Sequence, residues 1–388
     1  LSITAFPLAW EAVSDIDGSG LKNYELQVAT AADYTTLSFS SAPLGASAYV
    51  SGLTQKYYYW RLRALDNAGN TGLWSADRNF RVDLSTPTVT NNMGSGDLAW
   101  RKSNDGVYDV DFADLGESLI KQVEVRVTSG AAQSGTVFAD WTPVLTGINA
   151  ASYTGDWQLV TGVWDLLQSW TTNYVSVRVV DYSSQTYTLN DAFKVFKDTV
   201  TPSYVNGEAG GDNTWRKAGR NYNVDFADPY SRLAGAKYEA WTGAARTGTQ
   251  KKALTSIPSV SGASFGADWT VDFAALEDSA TNYVSIELYD VAGNTSTITD
   301  AFYIRKDTTP PSNVNGEAGG DNTWRKAGRD YNVDFADAGS GLNGAKYAAR
   351  TGANYTGSLK VASTTIAGVT GASFNTDWGV DFASLEDS

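Results

Sequence analysis

Two sets of oxygen-bearing side chains in this sequence could bind a metal ion. Each set pairs an early turn that contains aspartate with a later turn of the form Asp-x-Ala-Gly-Asn. Carboxylate and amide oxygens are hard ligands, and Ca²⁺ takes six to eight of them. These residue types predict calcium wherever the fold brings the two turns together. The members are Asp15, Asp17, Asp66 and Asn70 in the first set, and Asp228, Asp290 and Asn294 in the second.

The same residues also suit turns that need no metal. Asp and Asn side chains hydrogen-bond their own backbone in tight turns, and the neighbouring glycines Gly18, Gly20, Gly69 and Gly293 are expected to supply positive φ. The Asx-turn interpretation therefore stays open beside calcium. Residues 15–20, DIDGSG, begin like an EF-hand loop, but its twelfth position is Leu26 where that loop needs a bidentate Glu. We reject an EF-hand.

Tryptophans offer a second kind of candidate site, a platform for stacking sugars. Trp100, Trp215 and Trp324 each precede an Arg-Lys pair at corresponding places along the chain. Recurrence at a structural spacing favours packing in the core or at a sheet edge, with Arg stacked on the ring. A glycan partner remains the alternative.

Composition removes most catalytic chemistry. None of the 388 residues is Cys or His. Thiol nucleophiles, zinc fingers and Ser-His-Asp triads are therefore excluded. Paired carboxylates can hydrolyse glycosides when one lies in an apolar pocket, and the candidates are Asp109 with Asp111, or Asp225 alone. All three fall at outward-facing positions of alternating strands, so we predict a protein that is not an enzyme.

The charge of the chain restricts its partners. Its 29 basic and 43 acidic residues give a net charge of −14, which repels nucleic acid and anionic lipid. No run reaches the roughly 18 apolar residues that a membrane span needs. Leu1 begins without a Met or a charged leader, so we expect a piece of a longer protein. The absence of Cys slightly favours an exported protein.

Internal repeats dominate the sequence. Residues 205–228 and 314–337 differ at one position in 24, and residues 199–279 and 308–388 share 57 of 81 positions. A diverged copy lies upstream, where AWRKSNDGVYDVDFAD starts at residue 99 and TNYVSVRVVD at residue 172. Residues 1–83 are a different sequence that keeps the DNAGN turn. Such periodic copies indicate an array of similar domains.

The last copy is shorter than the one before it. It stops at Ser388, the equivalent of Ser279, and lacks the 28 residues that correspond to 280–307. Those residues read as two strands, so we expect the core of this copy to stay open. Either the chain continues, or another chain supplies the strands.

Alternation with a period of two predicts strands throughout. Tyr58, Trp60, Leu62 and Ala64 share one face of a strand, as do the apolar residues of 172–181 and 281–290. Only residues 164–170 and 272–279 suggest a helical turn. Short strands in units of about 110 residues indicate β-sandwiches, in which the turns after the second and penultimate strands lie at one end. That topology would place Asp114 near Asp181 and Asp228 near Asp290.

Proline-containing linkers mark the domain boundaries. DLSTP, KDTVTP and KDTTPP follow the last strand of successive units. The predicted domains are residues 1–83, whose first strand we expect to be missing, 84–198, 199–307 and the truncated 308–388. Proline restricts its own and the preceding residue, so we expect stiff joints and a rod. Strands at about 3.3 Å per residue give domains of roughly 35–40 Å, or about 150 Å for four.

Two family resemblances cover essentially the whole chain. Residues 1–83 resemble a fibronectin type III domain through DGSGLKNYELQV and YYYWRLRALDNAGNTGLWS. The later copies resemble bacterial immunoglobulin-like repeats through the DAGSGL turn at 337–342, the DVAGN turn at 290–294 and the KDTTPP linker. The resemblance implies tandem immunoglobulin-like and fibronectin type III-like sandwiches in a large secreted bacterial protein of the adhesin or surface-layer type.

These expectations converge on a structural role at the cell surface. Near-identical neighbours make sense where each unit adds length or valency, and a catalytic domain would gain little from such copying. We expect an extracellular repeat rod, or a part of a filament, sheath or surface layer, with copies of itself or neighbouring surface proteins as partners. The alternative is an adhesin stalk, or a carbohydrate-binding accessory region of a larger adhesin or hydrolase.

Overall fold

The chain folds almost wholly into antiparallel β-sheets, as predicted. The structure, a computed structural model, describes residues 4–16, 18–94, 96–116 and 118–385. The chain divides into two compact units, Leu1–Val200 and Thr201–Ser388. Each unit contains two separate hydrophobic cores, and each core falls within one of the predicted domains. The predicted boundaries themselves remain a prediction.

The first predicted domain is a small sandwich of a two-stranded and a four-stranded sheet. β1 pairs with β4, and the other strands form the order β3-β2-β5-β6. Phe6 and Val50 from the smaller sheet pack against Leu26, Val28 and Tyr58 from the larger. The strands are β1 (Phe6–Ala9), β2 (Leu21–Ala29), β3 (Leu37–Ser41), β4 (Ser47–Val50), β5 (Lys56–Asp66) and β6 (Arg78–Val82).

The second predicted domain pairs a three-stranded sheet, β12-β9-β7, with a five-stranded sheet, β11-β10-β13-β14-β8. Its core contains Phe112 from the first sheet and Val125 and Val177 from the second. Its elements are β7 (Thr88–Asn91), β8 (Trp100–Arg101), β9 (Val110–Ala113), β10 (Ile120–Gly130), β11 (Ser134–Ala150), β12 (Ser152–Tyr153), α1 (Thr161–Leu166), β13 (Thr172–Asp181) and β14 (Thr186–Lys197).

The third predicted domain repeats that arrangement. Its large sheet has the order β16-β24-β23-β19-β20, opposite β15-β18-β21 and the pair β17-β22. The edge strand β16 runs parallel to β24, as β8 runs parallel to β14. Its strands are β15 (Ser203–Asn206), β16 (Asp212–Arg216), β17 (Asn221–Tyr222), β18 (Val224–Ala227), β19 (Leu233–Gly243), β20 (Thr247–Ser256), β21 (Ser264–Phe265), β22 (Trp269–Thr270), β23 (Ala280–Asp290) and β24 (Thr295–Lys306), with a 3₁₀ turn at Phe273–Ala275.

The fourth predicted domain is smaller in its described residues. Its sheets are β25-β27-β30, β26-β31 and β28-β29. Its buried core consists of Leu342, Ile366 and Val369. Its strands are β25 (Ser312–Asn315), β26 (Asp330–Tyr331), β27 (Val333–Ala336), β28 (Ala345–Arg350), β29 (Leu359–Ile366), β30 (Ser373–Phe374) and β31 (Trp378–Gly379), with a 3₁₀ turn at Phe382–Ser384.

The predicted inner faces are confirmed in the repeats. Val175, Val177 and Val179 on β13 are fully buried, as are the corresponding three residues of β23. On β5, Tyr58 is buried whereas Trp60, Leu62 and Ala64 are half-buried, because the opposing sheet has only two strands.

The two predicted helical turns are also found, but both are shorter than predicted, and the first is shifted toward the N-terminus. The first is α1, which ends at Leu166, and the second is the 3₁₀ turn at Phe273–Ala275. No helix among the described residues has the length and apolar character needed to cross a membrane.

Candidate metal centre

The first predicted calcium set is brought together at one end of the first domain. Asp15, Asp66 and Asn70 line a single cavity of about 290 Å³. Asp15 Oδ2 accepts a hydrogen bond from the Gly20 amide at 3.1 Å. Asp17 lies outside the described residues.

Within this set, Asp66 and Asn70 close the turn between them through two hydrogen bonds. The Asn70 amide donates to Asp66 Oδ1 at 2.7 Å, and Asn70 Nδ2 donates to Asp66 Oδ2 at 2.6 Å. These two bonds, the side-chain bond more than the backbone bond, lower the pKa of the Asp66 carboxyl below its usual value. Both carboxylate oxygens thus have partners from the chain itself, as the Asx-turn interpretation requires.

The corresponding residues of the third domain make the same pair of hydrogen bonds. The Asn294 amide donates to Asp290 Oδ1 at 2.7 Å, and its Nδ2 donates to Oδ2 at 2.8 Å. The Asp228 carboxylate accepts from the amides of Tyr230 and Arg232 at 3.0 and 2.9 Å. Asp228 and Asp290 are both buried, and their carboxylate oxygens approach within 4.8 Å of one another.

A cluster of three buried acids lies in the first unit, where the linker residue Asp83 meets two turns of the second domain. Oxygens of Asp83, Asp114 and Asp181 all lie within 4.8 Å of one another, and the three side chains are at most 1% exposed. The sequence predicted the approach of Asp114 and Asp181, but not the contribution of Asp83. Burial, reinforced by the charges of Asp83 and Asp181, raises the pKa of Asp114 above its usual value.

Hydrogen bonds hold each of these carboxylates in place. Asp83 Oδ1 accepts from the Ser85 amide and Oδ2 from the Ser118 amide, both at 2.9 Å. Asp181 Oδ1 accepts from the Gln185 amide at 2.8 Å, so Gln185 takes the backbone role that Asn70 and Asn294 have elsewhere. The Gln185 side chain also donates to the carbonyls of Asp83 and Ser85, which are linker residues.

The donor set of this cluster fits a hard divalent cation. Ca²⁺ binds oxygens at 2.3–2.6 Å, so two of its ligands can be at most about 5 Å apart. The 4.8 Å limit between carboxylates satisfies that condition. Asp83, Asp114 and Asp181 would hold the ion, which would supply positive charge to three buried acids.

A second linker aspartate makes the same contacts in the other unit. Asp307 Oδ1 accepts from the Thr309 amide at 3.0 Å, and Oδ2 accepts from the Ser340 amide at 2.6 Å. Burial raises the pKa of Asp307, but these bonds outweigh it and bring the pKa below its usual value. Asp337 accepts from the amides of Gly339 and Gly341 at 3.0 and 3.1 Å.

We call this arrangement the linker clamp: the aspartate after a domain's last strand accepts a backbone hydrogen bond from the first acidic turn of the following domain. The clamp needs a small residue in that turn. A Cβ at Gly116 would lie 2.0 Å from Asp83 Oδ1, and one at Gly339 would lie 2.6 Å from Asp307 Oδ2. Sequence reasoning used Asp83 and Asp307 only as boundary marks, although an aspartate that recurs before each proline linker was a signal for such a contact.

Of the three tryptophans predicted to pack in the core or at a sheet edge, two lie at an edge. The prediction is wrong for Trp324, which is 88% exposed because its segment pairs with no strand among the described residues. Trp100 and Trp215 lie on the edge strands β8 and β16, as expected. The guanidinium over Trp215 belongs to Arg305, 5.9 Å from the ring centroid. The adjacent Arg216 instead pairs with Asp212.

The two carboxylates considered for glycoside hydrolysis share one amide partner. Asn92 Nδ2 donates to Asp109 Oδ1 at 2.8 Å and to Asp111 Oδ2 at 2.9 Å. Both aspartates are half-buried, and Asp225 is half-buried on β18. The two hydrogen bonds connect Asp109 and Asp111 to the loop that contains Asn92.

A recurring tryptophan was missed by the sequence analysis. Trp157 and Trp269 are buried and Trp378 is half-buried. Each donates an indole hydrogen bond to a backbone carbonyl, those of Val110, Val224 and Val333, at 3.2, 3.4 and 3.1 Å. The recurring dipeptide Asp-Trp was the available signal.

Comparison with known proteins adds only low-scoring structural likenesses. No protein-family model matches the chain, and no curated protein matches it. The tetra-tandem repeat in the extending region of a large adhesion protein is 15% identical, with a TM-score of 0.29, over 95% of this chain and 85% of that one. Fibronectin(III)-like modules of Clostridium thermocellum CbhA are 16% identical, with a TM-score of 0.29, over 50% and 86% of the two chains. A structure from a 1.5-MDa bacterial ice-binding adhesin is 16% identical, with a TM-score of 0.24, over 71% and 84%. Scores this low give no basis for assigning a function.

Proposed function

We propose that this chain is a non-enzymatic structural segment of a large extracellular bacterial surface protein, in which repeated sandwiches provide length or assemble into a filament, sheath or surface layer. The observation that carries the proposal is the linker clamp, which occurs once in each unit. Asp83 holds the Ser118 amide in the first unit, and Asp307 holds the Ser340 amide in the second.

The linker clamp supports this role because it restricts a joint between consecutive domains. Hydrogen bonds to a charged acceptor contribute about 1.5–3 kcal/mol, and burial protects them from competing water. The aspartate also holds the start of the linker through a second amide, that of Ser85 or Thr309. Prolines follow directly in both linkers. A protein that acts through spacing needs joints that do not collapse.

Small-angle X-ray scattering of the 388-residue chain tests the proposal. Four sandwiches end to end would reach about 150 Å, which corresponds to a radius of gyration of about 43 Å. A compact globule of this length would have a radius of gyration of about 21 Å. We expect a value near 40 Å, and a value near 21 Å would refute the rod.

We also propose that calcium stiffens such a joint, with Asp83, Asp114 and Asp181 as ligands, and that Asp228 and Asp290 contribute to binding in the third domain. Neutralising three buried carboxylates would stabilise the folded state. A ligand at 100 times its Kd adds about 2.7 kcal/mol. Calcium should therefore raise the Tm of the first unit's transition, whereas Asp181→Asn should reduce the increase. Equal Tm values in Ca²⁺ and in chelator would exclude this role and leave the rod proposal untouched.

A further inference from the structure

A row of aromatic side chains crosses the outer face of the third domain's large sheet. Trp241 on β19 lies opposite Tyr283 on β23, and Tyr283 lies opposite Tyr303 on β24. Residues directly opposite one another on antiparallel strands share a face. Val284 and Ile304, which follow two of them, are fully buried, so the row points away from the core. These three half-buried residues, which we call the aromatic row, span about 10 Å across three strands.

Contacts within the domain hold part of the aromatic row in place. The rings of Tyr283 and Tyr303 lie 6.1 Å apart between centroids and are tilted by 52°. The Tyr303 hydroxyl donates to Asn213 Oδ1, and a Cβ at Gly211 would lie 2.1 Å from the Tyr303 ring. The Tyr303 ring is therefore already ordered, and a preorganised group loses less entropy when a ligand binds.

A guanidinium lies at one end of the aromatic row. Arg305 lies opposite Trp215 of the edge strand β16, and its Cζ is 5.8 Å from the centroid of the Tyr303 ring. Its Nη1 donates to the Asn213 carbonyl at 3.4 Å. Among the described residues Arg305 forms no ion pair with an acidic side chain. It therefore keeps a positive charge that the carboxylate of a ligand could neutralise.

Polar residues border the aromatic row, which is one ring wide. Glu239, two residues before Trp241, pairs with Arg246 at 2.6 Å, and Lys237 lies opposite Glu287. A fully buried aromatic side chain covers about 150–250 Å², so three half-buried ones can offer only a few hundred Å². A standard protein–protein interface buries about 800 Å² on each partner. The row therefore suits a thin linear ligand better than a protein surface.

The second domain has the same sheet without the aromatic row. There Thr128 lies opposite Tyr174, and Tyr174 lies opposite Lys194, in the registers of the three aromatic residues. Phe196 takes the place of Arg305, opposite the tryptophan of the edge strand. The sheet forms with one ring among these three positions, so the fold does not require the full row.

We propose that the aromatic row binds a linear acidic polysaccharide, with sugar rings stacked on the aromatic rings and a sugar carboxylate on Arg305. The C–H face of a sugar ring packs on an aromatic ring while the hydroxyls at its rim stay in water. A guanidinium binds a carboxylate through two parallel hydrogen bonds. Successive sugars of a linear chain are rotated relative to one another, as the rings of Tyr283 and Tyr303 are. The proposal assigns a ligand, and so goes beyond the structural role.

Two β-1,4-linked hexasaccharides test the proposal, because mannuronate carries a carboxylate where mannose carries a hydroxymethyl group. Isothermal titration calorimetry of the 388-residue chain is run in about 0.15 M salt, which screens the net negative charge. Hexamannuronate should bind saturably with a Kd below about 1 mM. Mannohexaose lacks the charged partner of Arg305, so it should bind at least about tenfold more weakly. Arg305→Gln should remove most of that difference.

Trp241→Thr tests the aromatic row itself. The second domain has Thr128 at the same register, so the sheet accommodates threonine there. The variant should bind hexamannuronate at least about tenfold more weakly, as expected when a central aromatic contact is removed. Tyr174→Ala is the matched control, because it removes a ring at the Tyr283 register of a sheet that lacks the row. It should leave the affinity unchanged.

Three results would overturn the proposal. The first is a failure of hexamannuronate to saturate the chain up to roughly 1 mM. The second is equal affinity for hexamannuronate and mannohexaose, which would exclude an acidic ligand. The third is an equal effect of Trp241→Thr and Tyr174→Ala on binding, which would place the site elsewhere. None of these outcomes depends on the radius of gyration.

Discussion

Replacing Gly116 by alanine should break the linker clamp of the first unit. The new methyl group would lie 2.0 and 2.1 Å from the two carboxylate oxygens of Asp83. Ordinary contacts lie at 3.4 Å or more, so the carboxylate or the turn must move by more than 1 Å. The carboxylate cannot turn away freely, since it is fully buried and bonded to the amides of Ser85 and Ser118.

The size of the effect follows from those two bonds. Each hydrogen bond to a charged acceptor is worth about 1.5–3 kcal/mol, and partial retention of one of them is expected. We therefore predict a loss of about 2–4 kcal/mol from the free energy that keeps the joint closed. Hydrogen exchange measured by mass spectrometry reports this locally, because the Ser85 and Ser118 amides should exchange at least tenfold faster.

Gly162→Ala is the matched control, because a Cβ there would meet no atom within 4 Å. It adds the same methyl group in the same domain and should change stability by less than about 0.5 kcal/mol. If Gly116→Ala leaves exchange at Ser85 and Ser118 as slow as the control does, the linker clamp does not hold the joint and the reasoning fails.

Three further predictions concern buried groups. The folded pKa of Asp114 is raised, so the folded state retains a proton that the unfolded state has lost. The free energy of unfolding should therefore fall as pH rises from about 4 through the folded pKa, and Asp114→Asn should flatten that part of a curve of Tm against pH. Lys197 donates to two backbone carbonyls, and burial lowers its pKa. The free energy of unfolding should therefore rise with pH between the folded pKa and 10.5, and Lys197→Met should remove that rise when it is measured by urea unfolding. Ile286→Ala, at a fully buried position, should lower the free energy of unfolding by about 2–5 kcal/mol in calorimetry or urea unfolding. Val291→Ala, at a residue 53% exposed, should lower it by less than about 0.5 kcal/mol, and similar losses for the two variants would mean that the inner face of β23 is misassigned.

The sequence predicted those features that depend on short-range patterns. Alternation was enough to assign the inner face of β13, because Val175, Val177 and Val179 have period two and no competing pattern. The pairing of Asp66 with Asn70 and of Asp290 with Asn294 was also within reach, since an Asx turn is local.

Long-range partners were not predictable in this way. The approach of Asp83 to Ser118 spans 35 residues and depends on how one domain meets the next. The backbone conformation of the hairpin turns was also not predictable. Ala245 and Arg246 have φ of 53° and 59°, although such turns favour Asn-Gly. The Asp300 carboxylate accepts the Ala245 amide at 2.6 Å, and this tertiary contact helps an unfavourable local conformation to persist.

Duplication preserves the linker clamp because each of its two halves is encoded in a different repeat. A repeat ends with the aspartate and begins with the turn that receives the aspartate of its predecessor, so a copied repeat carries one donor turn and one acceptor carboxylate. In each unit, the aspartate of one domain and the turn of the next domain form this joint. A side chain at Gly116 or Gly339 would meet the aspartate of the preceding domain, whereas the corresponding position of the third domain is Tyr230. At these two joints, selection for a defined joint would therefore act on Asp83 and Asp307 and on the glycines that face them, while the outer faces of the sheets could diverge.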